Sequence, residues 1–241
     1  ISDVKDIVKS KVNKDVNGLN SIKVLLENET LGGYIVDDVI KIENLELVDF
    51  VPDENDYTVA WRFTHTDYVN SVAVDTDGNV YSGLYDYKVM KVSPGGEKIW
   101  EFTGHTNSVR SVAVDTDGNV YSGSTDYKVM KVSPGGEKIW EFTGHTNSVW
   151  SVAVDSEGNV YSGSFDKKVI KISPDGKKIW EFAGHTGSVY SVAVDSEGNV
   201  YSGSGDNKVM KISSTGQKIW EFTGHTGSVI SVAVDNNSNV Y

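Results

Sequence analysis

Five histidines, His65, His105, His145, His185 and His225, are the side chains best suited to act as acid, base or metal ligand near neutral pH. They stand 40 residues apart, and a serine and an aspartate accompany each one, so a Ser-His-Asp relay can be written at every copy. A nucleophilic triad is a single asymmetric constellation, however, and a set repeated identically along a chain is framework. The expected role of His105, His145 and His185 is therefore to hydrogen-bond the turn aspartates Asp126, Asp166 and Asp206 and a strand serine. Asp75 and Asp115 open Asp-x-Asp-Gly-Asn runs that look like calcium loops, but the equivalent runs become DSEGN and DNNSN. The glutamate that would complete such a loop is missing, so no metal site is assigned. No cofactor and no enzymatic activity are expected.

The elements that position these groups follow from the period. Trp100, Trp140, Trp180 and Trp220 recur every 40 residues, and Trp61 precedes the first by 39. Glu101 to Trp140 differs from Glu141 to Trp180 at only nine of forty positions, which marks duplication of one supersecondary unit. Within the unit, SVRSVAVD (Ser108 to Asp115) alternates and is β-branched, DTDGN is a tight turn, and VYSGS (Val120 to Ser124) resumes a strand. KVMKVS supplies a third strand and KIWEFT, after the turn SPGG, a fourth. No segment of the repeat sustains a 3.6-residue period, which excludes a helical solenoid. Four short antiparallel strands in about 40 residues is the arithmetic of a β-propeller blade. The fold class expected is all-β, a propeller of four-stranded antiparallel blades with a small N-terminal α/β segment.

The stretch GHT…SVxSVAVDxxGNVYSGSxD resembles the tryptophan-aspartate repeat family, with Gly144-His145 as its GH pair and Asp126, Asp166 and Asp206 as the aspartate between the second and third strands. The dipeptide that names that family is replaced by Val132-Ser133 or Ile172-Ser173. GNVYSGSTDYKVMKVSPGGEKIWEF is also similar to quinoprotein-type propeller repeats, through Gly136 and Trp140, with Val132 and Met130 where acidic and small residues are expected. Both resemblances span about Thr58 to Tyr241 and imply the same fold, and neither implies an activity.

A formal net charge of -12 and a pI near 4.8 argue against nucleic acid and anionic membranes as partners. Cysteine is absent, so there is neither a disulfide framework nor a thiolate site. No apolar run approaches the roughly 20 residues that span a bilayer, and Ile1-Ser2-Asp3 does not open a signal peptide. Localisation is left between the cytoplasm and a virion. Residues 1–56 lie outside the repeat and form the first domain, with 57–241 as the propeller. Ile1, Val4, Val8, Val12 and Val16 fit one helical stripe, Leu19 to Leu26 is a second helical candidate, Tyr34 to Val51 alternates as strands, and Pro52 to Tyr57 reads as a hinge. This segment is expected to cap the rim or to serve oligomer or particle assembly.

Counting blades gives an orphan fourth strand at Tyr57 to Phe63, four complete blades, and a first strand with the opening of a second at Ser228 to Tyr241. A ring so composed exposes unpaired edges, and the expectation is that further blades follow Tyr241. The function class expected is a non-catalytic binding or scaffolding propeller with a protein partner. The alternatives are a lectin-like glycan binder and a structural component of a phage tail or capsid.

Comparison of the copies locates the binding face. The residue inside SVxSV is Asn70, Arg110, Trp150, Tyr190 and Ile230, and the residue before the turn aspartate is Tyr85, Thr125, Phe165 and Gly205. Most differences between copies are mild, such as Thr to Ser, Asp to Glu or Val to Ile. Alternate loops of a meander share a face, so both positions fall beside the GHT loops, opposite the DTDGN and SPGG turns. Aromatic and arginine side chains carry binding energy at interfaces. Arg110, Trp150, Phe165 and Tyr190 are thus the expected centre of a partner-binding patch.

Overall fold

The computed structural model describes residues 62–65 and 67–241, together with two short strands, β1 (Leu25–Leu26) and β2 (Glu29–Thr30). The chain divides into two units, Ile1–Thr58 and Val59–Tyr241. In the first, β1 and β2 pair antiparallel. This corrects the helical expectation at the end of Leu19 to Leu26, since a short apolar run has no periodicity long enough to separate helix from strand. The amphipathic stripe from Ile1 to Val16, the strands over Tyr34 to Val51 and the hinge at Pro52 to Tyr57 lie outside the described residues.

In the second unit the described residues form four four-stranded antiparallel sheets. The first blade is β3 (Val69–Val74), β4 (Val80–Leu84), β5 (Val89–Val92) and β6 (Lys98–Phe102). The second is β7 (Val109–Val114), β8 (Val120–Ser124), β9 (Val129–Val132) and β10 (Lys138–Phe142). The third comprises β11 (Val149–Val154), β12 (Val160–Ser164), β13 (Val169–Ile172) and β14 (Lys178–Phe182). The fourth comprises β15 (Val189–Val194), β16 (Val200–Ser204), β17 (Val209–Ile212) and β18 (Lys218–Phe222). Each sheet is a meander in chain order. Among the described residues no helix is long and apolar enough to cross a membrane.

The first strands of successive blades pack against one another and against the second strand of the preceding blade, so they line the inside of the array. Glycine in the VYSGS strands makes that approach feasible: a Cβ on Gly123 would meet Val149 Cγ1 at 2.7 Å. Burial follows the stacking. Val112, Val152 and Val192, each seated on a preceding blade, are 6% exposed, whereas Val72 in the first described blade is 62% exposed. Covering such a side chain stabilises by roughly 1.5 to 3 kcal/mol. A second seam runs further out, where Trp100 Nε1 donates to the carbonyl of Pro134 at 2.8 Å and its ring lies against Gly136. Trp140 and Trp180 repeat this contact with Pro174 and Ser214.

The two ends of the repeat differ from expectation. Of the orphan strand expected at Tyr57 to Phe63, only Arg62 and Phe63 are described; neither is in a strand, and Phe63 packs on Leu84, Met90 and Val92. Ser228 to Tyr241 carries the first-strand pattern but makes only a single bridge, Val234 with Val240. Ala233 and Tyr241 exchange backbone hydrogen bonds around that bridge, but no consecutive bridge joins it, so no ladder forms.

Candidate functional site

The residue inside SVxSV occupies a special backbone position. In every complete blade the register between first and second strands shifts across it, between Val69 and Ser71, Val109 and Ser111, Val149 and Ser151, and Val189 and Ser191. Asn70, Arg110, Trp150 and Tyr190 are therefore the extra residues of β-bulges. A bulged residue has no cross-strand partner and its side chain is re-aimed, which frees it to vary between copies. The second variable position is tied beside the start of the same first strand. Tyr85 N donates to Tyr68 O, Thr125 N to Ser108 O, Phe165 N to Ser148 O and Gly205 N to Ser188 O, at 2.8 to 2.9 Å.

Those two constraints bring the four patch residues into one cluster across three blades. Trp150 and Phe165 stack with ring centroids 4.6 Å apart and planes 5° from parallel. Tyr190 presents its edge geometry to both, at 5.8 Å from Trp150 and 5.3 Å from Phe165. The Arg110 guanidinium lies 4.8 Å from the Trp150 ring. At these separations a stacked ring and a guanidinium cannot share one face of the indole, so Trp150 lies between them. All four side chains are partly buried. Gly205 makes room at the far end, because a Cβ there would come within 3.2 Å of Tyr190 Cε2.

Two tyrosines extend the cluster and were not assigned to it from sequence. Arg110 also stands over Tyr85, at 5.9 Å, and Tyr85 meets Tyr68 edge-on at 6.3 Å. The signal was present: Tyr85 sits at a position already recognised as variable, and Tyr68 replaces the serine found at Ser108, Ser148 and Ser188. Both are exposed, Tyr68 at 78%.

Beneath this face lies the histidine network. His105 Nδ1 is 2.9 Å from Asp126 Oδ2 and its Nε2 is 2.8 Å from Ser122 Oγ. His145 and His185 repeat the arrangement with Asp166 and Ser162, and with Asp206 and Ser202. Each aspartate also accepts the backbone N–H of the threonine next to its histidine, Thr106, Thr146 or Thr186, which ties the two loops of this face together. Burial holds His185 below its ordinary pKa against the pull of Asp206. Burial alone would raise Asp206, but the Thr186 N–H and the His185 ring outweigh it and keep the carboxyl below its usual range. The neutral ring then donates from Nδ1 to the carboxylate and accepts from the serine at Nε2. The histidine side chains are fully enclosed, which leaves this relay no substrate to reach.

The opposite face is anchored by the first aspartate of each DTDGN-type turn. Asp195 accepts the backbone N–H groups of Glu197 and Asn199, the Asn199 amide and the Tyr201 hydroxyl. Burial first, then the aspartate at its hydroxyl, pushes the Tyr121 and Tyr161 phenols up. These aspartates spend their lone pairs on the turn. Among the described residues no group of three or more His, Cys, Asp and Glu is arranged to hold a metal.

Comparison with known proteins agrees with this architecture. The family described as outer membrane protein assembly factor BamB matches residues 125–241, and the WD domain, G-beta repeat family matches residues 96–130. No curated protein matches the sequence. A solved structure described as "Structure of U3-55K" superposes with a TM-score of 0.67 at 22% identity, over 71% of this chain and 56% of that one. This chain therefore spans little more than half that protein's length, and the likeness is one of fold. Its repeats are thus similar to those of both family models, and the fold they share with the solved structure is that of a propeller.

Proposed function

We propose that this WD-type, quinoprotein-like propeller is a non-catalytic protein-binding scaffold whose recognition surface is the GHT-loop face, centred on Arg110, Trp150, Phe165 and Tyr190. One observation carries the reading: the side chains that differ most between otherwise near-identical copies meet in a single packed cluster. Drift acting on each copy separately has no reason to place its radical changes in mutual contact. Aromatic rings offer large contact area at small entropic cost and arginine adds charged N–H donors, which is the composition of binding hot spots. A glycan reading is less well supported, because the indole of Trp150 is enclosed by Arg110 and Phe165 and offers no open ring face to a sugar.

The test exchanges the four for residues found in other copies: Arg110→Asn, Trp150→Asn, Phe165→Thr and Tyr190→Asn. A photo-crosslinking residue at Tyr85 reports contact on this face, and one at Glu137 reports the opposite turns. The Tyr85 probe should join a discrete partner from the native source, the Glu137 probe should not, and the exchange should weaken capture by at least about 2 kcal/mol. Undiminished capture by the exchanged protein would place recognition elsewhere.

A further inference from the structure

We infer that the cluster receives a carboxylate, the side chain of an aspartate or glutamate on the partner, at Arg110 and Trp150; this rests on the reading of the GHT-loop face as the binding surface. Two N–H donors in the cluster, Arg110 Nε and Trp150 Nε1, are shielded from water and meet no hydrogen-bond acceptor among the described residues. A shielded donor without an acceptor has lost its water and gained nothing in return, so such groups are rare in folded proteins. Here two occur on side chains that touch, with the guanidinium 4.8 Å from the indole ring. Both groups donate and neither accepts, so what completes them is an acceptor.

Charge selects among acceptors. Arg110 makes no ion pair with any described residue, although the chain holds 34 Asp and Glu against 22 Lys and Arg. Asp126, on the same face of its own blade, is turned to His105 and to the backbone N–H groups of Thr106 and Lys128. The positive charge of Arg110 is thus left over two aromatic faces, those of Tyr85 and Trp150. A cationic ligand is disfavoured for the same reason: the faces that would receive it are already occupied by a cation. A neutral amide satisfies the donors but leaves the charge uncompensated, whereas a carboxylate does both. Neither Arg110 nor Trp150 is fully buried, so both side chains are in part open to the side from which a partner group approaches. Tyr68 and Tyr85, both exposed, flank the entrance and suit apolar neighbours of the acidic residue.

The whole 241-residue chain is offered three pools of synthetic dodecapeptides that share randomised flanks and differ only in a central Glu, Gln or Lys. The Glu pool should be retained about tenfold more tightly than the Gln pool, the difference expected of hydrogen bonds to a charged group, and the Lys pool should not be retained. Glu-pool binding should shift the Arg110 Nε–H and Trp150 Nε1–H resonances of the ¹⁵N-labelled protein, a response a merely structural cluster does not give. Arg110→Gln should bring the Glu and Gln pools level. Trp150→Phe, which keeps the stack and deletes one donor, should lower Glu-pool retention severalfold, and it serves as the variant should Arg110→Gln fail to fold. Equal retention of Glu and Gln by the wild type, or preference for Lys, overturns the carboxylate assignment and leaves the binding face standing. Retention of no pool, or retention unchanged by the fourfold exchange at the cluster, overturns both.

Discussion

In the four complete blades, the left-handed backbone positions on the face of the DTDGN and SPGG turns are all glycine, from Gly78 at a φ of 81° to Gly216 at 86°. On the GHT face the corresponding positions are Tyr87, Tyr127, Lys167 and Asn207, at φ of 66° to 77°. Glycine adopts that conformation without penalty and asparagine tolerates it, whereas a bulky L-residue is strained there. One face uses the residues that suit its geometry, and the other holds tyrosines against theirs. Strain of this kind gathers where a surface is shaped for something other than stability. The aromatic differences between copies fall on the strained face, while the opposite turns vary in charge and polarity, as at Glu137, Lys177 and Gln217.

The hardest blow to the comparison would come from the anchors of the glycine face. Asp195→Ala takes the carboxylate from the buried Asn199 backbone N–H and the Tyr201 hydroxyl and should cost about 3 kcal/mol in denaturant unfolding. Exchanging Trp150 and Phe165 for Asn and Thr removes one stacked pair of partly buried rings and should cost about 1 kcal/mol. If the exchange proves the more costly, the cluster is chiefly a stability element and the division between faces loses its meaning.

Acid should separate the faces by pH. The folded pKa of His185 lies below its ordinary value of 6.5, so between the two the unfolded chain takes up a proton that the folded chain does not. The stability that His185 contributes is present above 6.5 and declines as pH falls below it. Asp195, on the other face, is held below 3.8 in spite of its burial, by Asn199 and Tyr201, and its contribution persists until pH falls under that value. Amide exchange at pH 5 should accordingly accelerate in the GHT and Asp206 loops before it does in the turn at Asp195. Simultaneous loosening of both would remove the distinction.

The smallest effect is the most direct measure of strain. Tyr127→Asn, which installs the residue type present at Asn207, should raise stability by about 1 kcal/mol, and Asn207→Tyr should lower it by a similar amount. Thermal unfolding of the two variants reads this out. No change in either would mean that the tyrosines sit in this conformation at no cost.

Much of this was legible in the residues. Strand alternation, turn glycines and the 40-residue spacing of Trp100, Trp140, Trp180 and Trp220 are local or periodic signals, and they specified blades, strand order and the two faces. The pairing of His145 with Asp166 and Ser162 was also readable, because all three lie within one unit. What sequence comparison identified at Arg110, Trp150, Phe165 and Tyr190 was variability and a shared face, not contact. That these side chains touch depends on bulges that leave them without strand partners and on the spacing of neighbouring blades, which brings residues 40 positions apart to within 5.8 Å. Tyr68 and Tyr85 join for the same reason. A strand pattern likewise did not make a strand of Ser228 to Tyr241, since a ladder forms only where a second strand is present to accept its hydrogen bonds. Local sequence determines conformations that one segment can adopt alone; contact between segments is decided by how blades stack, and the candidate site is made of such contacts.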